Sequence, residues 1–111
     1  MIRLTDLLAE TDGLHPDDLS RWIAAALITP EDDDGEPQFS APHRARVQLL
    51  CTLHYTLEIE DEALPVVLSL IDQLYATRAQ LRALAGAVAA QDEGVKQDIV
   101  AALTAQRGAS P

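Results

Sequence analysis

Seven residues, Val67, Leu70, Leu74, Thr77, Leu81, Leu84 and Val88, recur at alternating spacings of three and four. That period is a heptad seam, and it predicts a long helix over residues 63–90. Pro65 falls in the first turn, where its missing N–H is tolerated. Such a helix is about 40 Å long at ~1.5 Å per residue. In a chain of 111 residues, one small domain cannot cover it all. Residues 64–74 are expected to pack partly on their own domain. The rest of the seam is expected to pair with a second copy, parallel or antiparallel, as a homodimer. Gly86 and the alanine-rich stretch 83–90 weaken the far end, and Gln91-Asp92-Glu93-Gly94 breaks it. Residues 95–106 predict a short amphipathic helix with Val95, Ile99, Ala102 and Leu103 on one side. Gly108 to Pro111 is expected to fray.

Ahead of the seam the chain is punctuated more closely. Thr5 to Glu10 predicts a short helix capped by Thr5, with Asp6 and Glu10 on it and Asp12-Gly13 ending it. His15 stands at the cap of a second helix with Pro16 at its first position. Leu19, Trp22, Ile23 and Ala26 form its buried stripe, and Leu27 to Pro30 ends it. Glu31 to Pro37, with Gly35, reads as a turn or hairpin tip, and Gln38-Phe39-Ser40 as a short return strand. A third helix is expected from about Pro42 to Thr56, capped by Ser40, with Val47, Leu50, Cys51 and His54 on one face. The acidic stretch 57–62 joins it to the long helix. Three regions result: 1–62, 63–90 and 91–111.

Charge narrows the function classes. Eighteen acidic residues oppose eight basic ones, for a net charge of −10. Residues 1–36 alone hold ten acids and two arginines. Such a surface repels phosphate backbones and attracts basic partners. One cysteine permits no internal disulfide, and Cys51 is expected to be a small core residue. His15, His43 and His54 lack metal-ligand spacing. Asp32-Asp33-Asp34-Gly35 lacks the downstream glutamate of a calcium loop. With no phosphate loop and no nucleophile setting, the reading is a non-enzyme without metal or cofactor. The longest apolar run, Trp22 to Ile28, is too short to span a membrane. With no secretory signal visible, the expected location is cytoplasmic. His15-Pro16-Asp17 matches the tripeptide of J-domain co-chaperones, but no basic helix precedes it, and a capped helix start accounts for it.

The segment from Asp12-Gly13-Leu14-His15-Pro16 to Leu27-Ile28-Thr29-Pro30 resembles the second helix of MerR-type winged helix-turn-helix proteins. Phe39-Ser40 stands where their wing returns, and the heptad stands where their dimer helix lies. Val47 to Leu50, His54 to Ile59 and Ala63 to Leu74 resemble, within that superfamily, the chaperone modulatory proteins of the CbpM family. The likeness ends near residue 90. It implies an all-α, MerR-like winged helix-turn-helix fold, with a small hairpin wing and a long C-terminal dimerisation helix. It also implies a chaperone modulator that binds the J-domain of a curved-DNA-binding co-chaperone and inhibits its co-chaperone and DNA-binding activities.

Local charge favours that reading over DNA binding. A DNA-reading helix turns Arg, Lys, Ser or Thr to the groove, whereas this one begins Pro16-Asp17-Asp18. The expected partner surface comprises Asp17, Asp18, Glu31, Asp32, Asp33 and Asp34, or Tyr55, Glu58, Glu60, Asp61 and Glu62. Tyr55 is the candidate aromatic anchor, and Trp22 is read as core. A MerR-like regulator that binds DNA and an acidic dimeric adaptor are the alternative readings.

Overall fold

The computed structural model describes residues Met1–Ala109. The chain forms two compact units, Met1–Ser69 and a second that begins at Leu70. The elements are β1 (Ile2–Arg3), α1 (Leu4–Glu10), α2 (Pro16–Ala24), β2 (Glu31–Asp33), β3 (Glu36–Phe39), α3 (Ala41–Cys51), α4 (Leu64–Ala89) and α5 (Glu93–Ala109). A π-helical turn, Thr52–Thr56, extends α3. The protein is thus mostly helical, with a small sheet and a long helix towards its C-terminus.

The sheet enlarges the small hairpin wing expected of an otherwise helical fold. It has three antiparallel strands in the order β1-β3-β2. The hairpin turns on Asp34-Gly35, both at positive φ (56° and 86°), as a two-residue loop between right-twisted strands requires. Asp33 pairs with Glu36 and Glu31 with Gln38. On the other side of β3, Ile2 pairs with Phe39 and Arg3 with Gln38. The strand β1 was not foreseen, because two residues carry no periodicity and only pairing to β3 makes them a strand. Pro37, which has no N–H to donate, lies beyond the reach of β1.

The helix boundaries shift for local reasons. Because β1 runs straight into α1, Arg3 rather than Thr5 occupies the cap position. α2 starts as expected, with His15 at the cap and Pro16 first. It ends at Ala24, earlier than Leu27. The Leu27 N–H reaches the Trp22 carbonyl (2.9 Å) and the Ala26 N–H that of Ile23 (3.0 Å), the double closure of a Schellman motif. This places Ala26 at φ 59°, exposed and outside the buried stripe, while Leu27 and Ile28 turn into the core. An alanine in this left-handed conformation carries a steric cost that glycine avoids. Ala26→Gly is therefore expected to stabilise the protein by about 1 kcal/mol, read as a higher midpoint in urea.

The core of the first unit comprises Leu7, Leu14, Leu19, Trp22, Leu27, Ile28, Phe39, Val47, Leu50, Leu53, Leu64 and Leu68, all buried. Ser40 and His43 close the start of α3: the Ser40 N–H donates to His43 Nδ1 at 3.0 Å. Cys51 is half-buried. The start of α4 packs through Leu64 and Leu68 rather than through the seam, and Leu70 and Leu74 are already exposed. α5 begins two residues before Val95 and stays helical through Ala109. Gly108 and Ala109, from the stretch expected to fray, belong to α5, and Ser110 and Pro111 lie outside the described residues. Among the described residues, no helix is long and apolar enough to cross a membrane.

Candidate functional site

The first unit holds fourteen acidic residues and four arginines, and therefore the whole net charge of −10; residues 70–111 balance four against four. Which acids face outward depends on how α2 meets the end of α3. An α-helix separates consecutive side chains by about 100°. The wider π-helical turn brings two consecutive rings to one neighbour. His54 and Tyr55 lie 5.8 and 6.1 Å from the Trp22 ring, centroid to centroid.

Around this aromatic group the polar atoms form one network. The Tyr55 hydroxyl donates to Asp18 Oδ2 at 2.5 Å and accepts the His15 backbone N–H at 3.2 Å. Arg21 donates to Asp18 Oδ1 and to Asp61 Oδ2 at 3.1 Å. The Trp22 indole N–H donates to Asp61 Oδ1 at 3.3 Å. His54 Nδ1–H donates to the Ile59 carbonyl at 2.8 Å, tying down the loop that leads to α4. Among the described residues, no buried side-chain polar atom lacks a partner.

Asp18 and Tyr55 influence each other's ionisation. Burial pushes the Asp18 carboxyl up, but the Tyr55 and Arg21 hydrogen bonds and the positive charge of Arg21 outweigh it and hold the carboxyl below its usual range. Burial, then the bond to Asp18, pushes the Tyr55 phenol up to about 12. The stability from Asp18 is therefore present above the ordinary carboxylate range and is lost as pH falls through its lowered value. That from Tyr55 is complete below pH 10.0 and is lost as pH climbs towards about 12. Tyr55→Phe is expected to cost about 1–2 kcal/mol. It is also expected to move the acid unfolding midpoint to higher pH, as followed by circular dichroism.

The expected partner residues fall into two groups. Asp18 is buried, at 9% exposure, and bonded within the chain. Asp61 is held by Arg21 and Trp22, and Tyr55 is half-buried with its hydroxyl engaged. These three join α2 to the end of α3 and the loop before α4. Asp17, Glu31, Asp32, Asp33, Asp34, Glu58, Glu60 and Glu62 are exposed. Arg21 and the Trp22 indole were missing from the expected site. Their signals were the three-residue spacing from Asp18 to Arg21 and the need of a buried indole N–H for an acceptor.

All four arginines of this unit have partners within the chain. Arg44 grips Glu10 with two bonds of 2.7 and 2.9 Å. Arg46 donates to the Leu27 carbonyl at 2.5 Å. Arg3 lies 3.7 Å from Glu36, and Arg21 serves Asp18 and Asp61. A cleft of about 440 Å³ beside Trp22 is bordered by Arg21, Ala25, Leu27, Asp61 and Pro65. Among the described residues, no three His, Cys, Asp or Glu side chains converge on a metal position. Comparison with family models, curated proteins and solved structures finds no match.

Proposed function

We propose that this protein is a chaperone modulator that clasps a basic protein surface, the J-domain of a curved-DNA-binding co-chaperone. By masking that surface it inhibits the co-chaperone's activity and its DNA binding. The scaffold of this reading is a MerR-like winged helix-turn-helix: α1 and α2 across a turn, then the β2–β3 hairpin, then α3. One observation carries it. The cations of the first unit are occupied within the chain, while Glu31, Asp32, Asp33 and Asp34 have no ion-pair partner among the described residues.

A duplex gains affinity from cations that displace its counterions, and this hairpin presents carboxylates in their place. A basic helix gains attraction from the same charges. Charge steers the encounter and sets orientation, while apolar contacts supply most of the affinity. Calorimetry of the full chain against the co-chaperone's J-domain tests the reading. The expected result is binding that weakens about tenfold from low to physiological salt, with no retardation of duplex DNA at the same concentrations. Absence of heat at low salt rejects it.

A further inference from the structure

The early end of α2 leaves an opening beside the core. The helix stops at Ala24, and residues 24–26 are all alanine, so only methyl groups project there. Ala24, Ala25, Leu27 and Pro65, with the edge of Trp22, give the cleft of about 440 Å³ its apolar borders. Every residue that borders it lies within the first unit. An aliphatic cavity of about 150 Å³ already takes up a benzene ring, so this one has room for a large aliphatic side chain.

Charge decides what carries that side chain. Arg21, on the border of the cleft, is committed to Asp18 and Asp61. Asp61, on the same border, is 44% exposed. Each of its oxygens accepts one bond, from the Trp22 indole and from Arg21, whereas a carboxylate has about four acceptor positions. Glu58, Glu60 and Glu62 stand exposed in the same loop, and residues 57–62 hold four acids and no base. An aliphatic residue flanked by acids is repelled here, and one flanked by lysine or arginine is attracted. The first unit of a second copy, with its net charge of −10, is of the repelled kind.

We infer that the cleft between the end of α2 and the start of α4 anchors a helix of a basic protein. One leucine-like side chain of that helix fills the cleft beside Trp22. A lysine or arginine one turn along meets Asp61 and the glutamates of the loop. The basic character of the occupant rests on the function proposed above, and the cleft supplies the apolar contact that such masking needs. The hairpin acids steer the encounter, and the cleft holds what arrives.

Synthetic helical peptides of about 18 residues, long enough to form helix, test this on the full chain without the J-domain. The first carries leucine and lysine one turn apart in an alanine background. The second has alanine for each leucine, and the third has glutamate for each lysine. Calorimetry at physiological salt measures affinity. Trp22, the single tryptophan, reports the place of binding through its emission. The leucine–lysine peptide is expected to bind at least about tenfold more tightly than the other two and to shift the Trp22 emission. Ala24→Leu and Ala25→Leu, at exposed positions where a larger side chain is accommodated, are expected to fill the cleft and abolish that advantage. Ala101→Leu, exposed on α5, is expected to keep it. Equal affinity for the three peptides overturns the inference. So does an unmoved Trp22 emission, or a leucine advantage that survives in both the Ala24→Leu and Ala25→Leu chains. Calorimetry with the J-domain judges the proposed function separately, so the two readings fail in different experiments.

Discussion

Replacing Trp22 with alanine is expected to cost about 3–5 kcal/mol. Trp22 is 1% exposed and is one of the largest fully buried side chains. Its removal leaves a cavity between α2 and the π-helical turn. It also takes the indole N–H from Asp61 and a packing surface from the His54 and Tyr55 rings. Small domains hold only about 5–15 kcal/mol in total. The variant is therefore expected to melt more than about 12 °C lower, at about 4 °C or more per kcal/mol. Thermal dichroism checks this. Trp22→Phe, which keeps much of the volume and loses the N–H, is expected to fall between the two. A drop of less than about 1 kcal/mol for the alanine variant would remove Trp22 from the centre of the core.

Reversing charge on the hairpin, Glu31→Lys with Asp32→Lys and Asp33→Lys, should change binding as strongly as Trp22→Ala changes stability. These side chains are exposed and lie on a short strand, so the melting temperature is expected to move little. Against a basic J-domain, each replacement turns an attraction into a repulsion. At about 1 kcal/mol apiece, the three together weaken the dissociation constant by more than about 100-fold. The same variant is expected to gain affinity for duplex DNA, because three cations now face where three carboxylates stood. Calorimetry and gel retardation measure the two effects side by side. If J-domain affinity is unchanged, the masking face is not the hairpin, and Glu58, Glu60 and Glu62 become the residues to reverse.

Local chemistry made much of the first unit legible. Pro16 after His15 set the start of α2, Gly35 marked the hairpin tip, and Ser40 before Ala41-Pro42 opened α3. Each signal acts over three or four residues, so no distant contact is needed to read it. The early end of α2 was not legible, because it rests on Ala26 accepting a left-handed conformation so that Leu27 and Ile28 can be buried. Nor was the π-helical turn at Thr52–Thr56, for which the residues carry no distinctive composition. The candidate site was half legible. An excess of carboxylates is visible in composition, but the sequence presents Asp17 and Asp18 as equals, and one is exposed while the other is buried.

The sequence by itself determined the sign and size of the charge, the starts of α2, α3 and α4, the hairpin tip and the apolar period of α4, because these depend on neighbours within a turn or two. Tertiary structure alone decided which carboxylates are free. Asp18 meets Tyr55 across 37 positions, and Arg21 meets Asp61 across 40. Those pairs exist only once Trp22 has packed α2 against the end of α3. The same packing engages Arg21 with Asp18 and Asp61, while Glu31, Asp32, Asp33 and Asp34 stay exposed on the hairpin.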